Sequence, residues 1–186
     1  MQITGKEDIR VQKTLKAIHD AFSSLLQEMP YEKISVKALC ERAMINKTTF
    51  YRYYPTLDDL LEQVQSELAA PYVNRTSGLR YPEDIEQIVR EFMVYSAQQG
   101  PLYDAILSSG VYASIMQKML EDMSKERDLD FKPPRGWNDV EWALYIDHVN
   151  SSQVRIYSKW VADGRKIPAE QMAEMAVRLI CDGARL

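Results

Sequence analysis

The sequence predicts an all-α protein: a three-helix helix-turn-helix head over residues 1–55 and a larger helical bundle over 56–186, about nine helices together. Three observations carry that prediction. In each long segment apolar residues recur at i, i+3, i+4 and i+7, which gives a helix one apolar face. Proline and glycine fall mostly between those segments, as at Pro30, Gly100-Pro101, Gly110, Gly136 and Gly164. No stretch alternates polar and apolar with the period of two that a half-buried strand shows.

The totals fit this class. With 186 residues, 46% of them hydrophobic and seven glycines, the chain is long enough to bury one or two small cores. No segment joins a basic start, an apolar run and a small-residue cleavage site, and no run of about 18 apolar residues occurs. A soluble, cytoplasmic protein is therefore expected. Cys40 and Cys181 stand far apart without CxxC spacing, so reduced thiols are expected rather than a disulfide or a zinc site. The net charge of −4 is unevenly spread. Residues 1–56 hold nine Lys and Arg against six Asp and Glu, and residues 57–186 hold fourteen against twenty-one. A basic end on an acidic body suits a chain that touches a polyanion at one end.

The elements follow in order. Residues 1–8 are polar and expected to be loose. Between 9 and 29, Leu15, Ile18, Phe22, Leu25, Leu26 and Met29 form one stripe, with His19 on the outside, and Pro30 ends the helix. Residues 31–34 link it to a second helix and tuck in Ile34 and Tyr31. Ser35 is placed to cap that second helix, whose apolar positions are Val36, Leu39, Cys40 and Ala43. A corner at 43–45 is expected to bury Ile45. Asn46 then caps a third helix whose inward residues are Phe50 and Tyr54. Thr56, with Asp59 three residues on, starts a fourth helix along Leu57, Leu60, Leu61, Val64 and Leu68. Pro71 should interrupt it near Ala70, leaving a loop over 73–80.

Pro82 should open a fifth helix through Gln99, with Ile85, Ile88, Val89, Phe92 and Tyr95 on one side. A short sixth covers 102–107 and a seventh covers 111–127. Asn138 caps a long helix to about Ala162, closed by Gly164, whose apolar residues spread widely enough to face more than one neighbour. Pro168 opens the last, with Met172, Met175, Ala176, Leu179 and Ile180 as its stripe.

The third helix is unusual. With Phe50 and Tyr54 inward, Lys47, Thr48, Thr49, Tyr51, Arg52 and Tyr53 are left outside. Water alone has little use for so many aromatic and hydroxyl groups on one short helix. A phosphate-lined groove does, because hydroxyls donate to phosphate oxygens while Lys and Arg supply charge and base-edge donors. Double-stranded DNA is the expected partner. Lys37, Lys47, Thr48 and Arg52 are the candidates for base edges, and Ser35, Thr49, Tyr51 and Tyr53 for phosphates.

The stretch INKTTFYRYYPTLDDLL, residues 45–61, following ALCERA, resembles the DNA-binding signature of the TetR/AcrR family. Two positions depart from the family pattern. Met44 stands where a turn glycine is usual, and Leu57 where a phosphate-touching lysine is common. Further on, Tyr157, Trp160, Val161 and Gly164, with Pro168, Met172 and Ala173, resemble a Firmicute-type C-terminal half of that family. The resemblance implies a homodimer on a palindromic operator, with half-sites about 34–36 Å apart. It places the dimer surface on the last two helices, with Tyr157, Trp160, Met172, Met175 and Leu179 as candidates. Each is equally consistent with a core inside one chain. It also implies a small apolar or aromatic effector, for which Tyr95, Tyr103, Met116, Met119, Trp142, Tyr145 and His148 are candidate lining groups. The same spacing serves an ordinary core, and His148 fits a packing role as well.

On this basis the expected function is a dimeric transcriptional repressor answering to an effector. The alternative is a TetR-like interaction module with weakened or lost DNA binding, which Met44, Leu57 and a head charge of only +3 favour slightly. An enzyme is not expected: the sequence offers no glycine-rich phosphate loop, metal-ligand spacing or nucleophile–base pair. No cofactor or metal is expected.

Overall fold

A computed structural model of the chain describes residues 5–108 and 133–183. It divides into two compact units, Met1–Ser66 and Glu67–Leu186. Among the described residues there are eight α-helices and no strand. The seventh expected helix, at 111–127 and including Met116 and Met119, lies outside the described residues.

In the first unit, α1 spans Gly5–Glu28 and buries Ile18, Ala21, Phe22, Leu25 and Leu26. Residues 5–8, expected to be loose, already belong to this helix. After Pro30 a single 3-10 turn, Tyr31–Lys33, leads to α2, Val36–Arg42. Ser35 Oγ accepts the Ala38 N–H at 3.2 Å, the cap its position predicts. The corner to α3, Lys47–Tyr53, is turned by Met44 at φ +54°, the left-handed region where glycine is usual. The buried residue of that corner is Ala43; Ile45, expected inside, is only half-buried. The left-handed turn carries the Met44 side chain outward, where it is 91% exposed. Asn46 Oδ1 accepts the Thr49 N–H at 2.7 Å and starts α3. Below it Phe50 is 0% and Tyr54 4% exposed.

Polar ties between residues far apart in the sequence help hold this unit. Arg42 donates from Nη1 and Nη2 to the two carboxylate oxygens of Glu28, at 2.6 and 2.8 Å, and from Nη1 to Ser24 Oγ. That fork joins α2 to α1. It holds the Glu28 carboxyl well down, from an ordinary 4.5 to about 2, through the Arg42 bonds first and the Ser24 hydroxyl second. The Tyr31 hydroxyl donates to Asp58, and burial together with that carboxylate pushes its titration upward. His19, expected on the surface, is half-buried with Nε2 2.8 Å from the Tyr54 hydroxyl.

Helix α4 runs Leu57–Thr76 with Pro71 inside it, well past the predicted end at Ala70. Its start is the expected box: Asp59 N–H donates to Thr56 Oγ1, and Thr56 N–H to Asp59 Oδ2 at 2.8 Å. The proline removes one backbone donor, but packing in the second unit outweighs that loss. Tyr72 sets its ring edge-on to Phe92 at 5.8 Å, and the Tyr95 hydroxyl donates to the Leu68 carbonyl at 2.6 Å.

The remaining helices of the second unit are α5 (Ile85–Ala97), α6 (Pro101–Ser108), α7 (Asp139–Ala162) and α8 (Ala169–Val177), the last running on as a π-helical turn, Arg178–Asp182. Helix α5 starts at Ile85 rather than Pro82 and packs on α7 and α8, while α6 packs on α7. Asn138 and Glu141 form a full capping box at the start of α7. Tyr157, 0% exposed, anchors the core, its hydroxyl 2.7 Å from both the Ser96 carbonyl and Asp104 Oδ1. Arg165 Nη2 donates to both Asp104 oxygens at 2.9 and 3.0 Å and lies over the Trp160 ring. Gly164 and Arg165, at φ +79° and +53°, reverse the chain after α7.

The α8 stripe differs from the predicted one. Met172, Ala173, Ala176 and Val177 are buried, whereas Met175 and Leu179 face outward. Small alanines let α8 approach α5 closely, which rotates the longer side chains out.

Candidate nucleic-acid interface

Helix α3 has seven residues, too few for a helix that must stand alone, which in water needs about 12–15. Its stability is borrowed from two caps and two anchors: Asn46 before it, Tyr54 closing it with an N–H to the Phe50 carbonyl at 3.0 Å, and the buried rings of Phe50 and Tyr54. Those anchors fix which residues face outward. Lys47, Thr48, Tyr51 and Arg52 are exposed, Tyr51 by 52%, while Thr49 and Tyr53 are half-buried. The Tyr51 ring rests edge-on against Phe50 at 5.4 Å, so its exposed hydroxyl is carried on a held ring. Among the described residues neither Lys47 nor Arg52 is taken up in an ion pair, so both cations are available to an anionic partner.

Ser35 and Lys37 belong to the start of α2. Ser35 is exposed and its oxygen caps the helix, leaving its proton to donate. Lys37 is exposed and 3.9 Å from Glu41, a loose surface pair worth little in water. The structure thus brings the predicted DNA-facing residues onto two neighbouring helices, α2 and α3, which pack on each other.

The predicted effector and dimer residues fare differently. Tyr95 and Tyr103 meet edge-on at 5.9 Å and are buried. Their hydroxyls are spent on the Leu68 carbonyl and on Ser96 Oγ. Burial pushes the Tyr103 hydroxyl far above its ordinary value. Trp142 and Tyr145 stack at 5.5 Å as a separate pair beside Trp137, and His148 is exposed. Of the dimer candidates, Tyr157 and Met172 are core residues at 0% and 2% exposure, so neither is a surface group. Trp160 is half-buried and donates its indole N–H to the Ile167 carbonyl. Met175 and Leu179 remain on the surface. Sequence reasoning missed His19 and Arg42; their signal was slight, a polar residue beside an apolar stripe.

A helix-turn-helix that turns cations, hydroxyls and a tyrosine outward from a rigid two-ring base defines a DNA-binding regulator of transcription rather than an enzyme. Residues 18–64 match the family described as "Bacterial regulatory proteins, tetR family", so the head of this chain is similar to that of TetR-family regulators. It is similar to the HTH-type dhaKLM operon transcriptional activator DhaS of Lactococcus lactis, 24% identical over 139 residues, which cover 69% of this chain and 68% of that protein. Among solved structures it shares its fold with the transcriptional regulator FadR from Bacillus subtilis, determined in complex with stearoyl-CoA. The TM-score is 0.53 at 15% identity, over 91% of this chain and 99% of that one. Among the described residues no helix is long and apolar enough to cross a membrane.

Proposed function

We propose that the protein is a homodimeric repressor that works in the cytoplasm, where its DNA is, and binds a palindromic operator through the outward face of α3. One observation carries this reading: Lys47, Thr48, Tyr51 and Arg52 are exposed on a helix whose opposite face is anchored by Phe50 and Tyr54. Lys37, Lys47, Thr48 and Arg52 are assigned to base edges, and Ser35, Thr49, Tyr51 and Tyr53 to phosphates. In this reading a head over residues 1–55 binds the operator and a body over 56–186 carries the response and the dimer contact. Met175 and Leu179, exposed one turn apart at the end of the chain, support a dimer contact there. The aromatic interior around Tyr95 and Tyr103 supports a response to a small apolar or aromatic effector.

Footprinting of the purified protein on its own upstream region, with a salt titration, tests the reading. A protected palindrome whose affinity falls steeply with salt is the expected result. Lys47→Ala should cost about 1–3 kcal/mol on that site and relax the sequence preference at one position. Equal weakening on every sequence reassigns Lys47 to phosphate. No protected palindrome at any salt defeats the proposal. Transcription in vitro from the same fragment then reads the sign of regulation, with reduced transcript expected.

A further inference from the structure

Along its length α3 packs chiefly on α2. Apolar contacts such as those of Phe50 hold it there, but they are non-directional and do not by themselves fix how the helix is rotated. One side chain at the end of α3 makes directional ties to both α1 and α4. Tyr54, at the residue where α3 ends, is 4% exposed, and its hydroxyl donates to Gln63 Oε1 of α4 at 2.9 Å. With its single proton used there, the same oxygen accepts from His19 Nε2–H of α1 at 2.8 Å. A phenylalanine would fill this space with no polar atom to satisfy, and burying a hydroxyl is unfavourable unless it is bonded. Here it is bonded on both sides, by residues from the two helices that α3 otherwise barely meets.

The junction also reaches the exposed face. The Tyr54 ring lies 6.2 Å from the His19 ring and 5.8 Å from Phe50, and Phe50 lies 5.4 Å from Tyr51. Ring contacts therefore run without a gap from α1 to an outward tyrosine. Arg52 and Tyr53 directly precede the pivot in the chain. A small rotation about the end of α3 would move their side chains relative to any base they meet, while phosphate contacts made by flexible or peripheral groups would adjust.

We propose that His19, Tyr54 and Gln63 form a positioning junction that fixes the orientation of α3 against α1 and α4, and so sets sequence discrimination rather than general DNA affinity. The inference rests on α3 being the helix that reads DNA. The test uses the full-length protein and two labelled duplexes, one carrying the site recovered by selection from genomic fragments and one of scrambled sequence. Anisotropy titrations are run at fixed salt, well below each variant's melting temperature.

Tyr54→Phe and His19→Leu should weaken binding to the recovered site about five- to tenfold, the worth of one lost hydrogen bond. Binding to the scrambled duplex should change by less than roughly twofold, because its contacts go to phosphate. His19→Gln, which keeps an N–H donor near the Nε2 position, should restore most of the discrimination. A purely structural hydroxyl would lower the melting temperature and leave the ratio of the two affinities at the parent value, and that result overturns the proposal. Equal affinity of the parent protein for both duplexes overturns the DNA-reading assignment of α3 and the junction with it, and is a distinct outcome.

Discussion

Phe50→Ala is the perturbation that most directly probes how a seven-residue helix is kept in place. The Phe50 side chain is 0% exposed and its ring touches those of Tyr51 and Tyr54 at 5.4 and 5.8 Å. A buried aromatic removes about 150–250 Å² from water, which at ~25 cal/mol per Å² corresponds to about 4–6 kcal/mol. Alanine keeps the Cβ and some of that area, while the cavity it leaves adds a further cost, so about 3–5 kcal/mol is the expected destabilisation. A small unit has only about 5–15 kcal/mol in total. The loss is therefore a large share of the unit's stability, and it removes the anchor of α3, which cannot stay helical alone. Urea denaturation followed by far-UV circular dichroism reads the stability, and anisotropy on operator DNA reads the helix. Phe50→Leu serves as the control, at a cost below about 1.5 kcal/mol with DNA binding kept. If Phe50→Ala lies within about 1 kcal/mol of the parent protein and binds DNA equally well, the anchoring argument is wrong.

Acid should weaken the α1–α2 fork in a defined window. The Glu28 carboxyl sits lower in the folded chain than in the unfolded one, so its contribution is fully present above pH 4.5 and is lost as pH falls toward about 2. Glu28→Gln should flatten the fall in melting temperature across that range, and matching slopes for the two proteins would speak against the fork. Met44→Gly should raise stability by about 0.5–1 kcal/mol, because φ +54° strains a side chain that is 91% exposed and contributes little packing; unchanged or lower stability in chemical denaturation refutes the strain. Tyr157→Phe should cost about 1–3 kcal/mol through loss of a buried bond to a carboxylate, and a cost below about 0.5 kcal/mol would mean that Arg165 alone holds Asp104.

Much of the head could be derived from local chemistry. Ser35, Asn46 and Thr56 are caps whose function depends on neighbours three residues away, and each is found capping as its position predicts. Phe50 and Tyr54 share one face of a short helix, so choosing them as inward residues placed Lys47, Thr48, Tyr51 and Arg52 outside. In the second unit the periodicity places the α5 face as found, with Ile88, Val89, Phe92 and Tyr95 buried, but not the whole face of α8. On α8 the periodicity of Met172, Met175, Ala176 and Leu179 fits two neighbouring stripes, and only the close approach of α5 to Ala173 and Ala176 selects one. Pro71 does not end the helix because Tyr72 and Leu68 find partners on α5, at Phe92 and Tyr95, far along the sequence.

What the sequence determined by itself is the set of helices, their capped starts and the chemical character of the outward face of α3, since these depend on contacts within one or two turns. Only the tertiary structure decided where α4 ends, which residues of α7 and α8 are core, and that His19 and Gln63 meet on the Tyr54 hydroxyl. Those outcomes depend on groups far apart in the chain, whose meeting is set by how whole helices pack and not by any spacing that a linear pattern records.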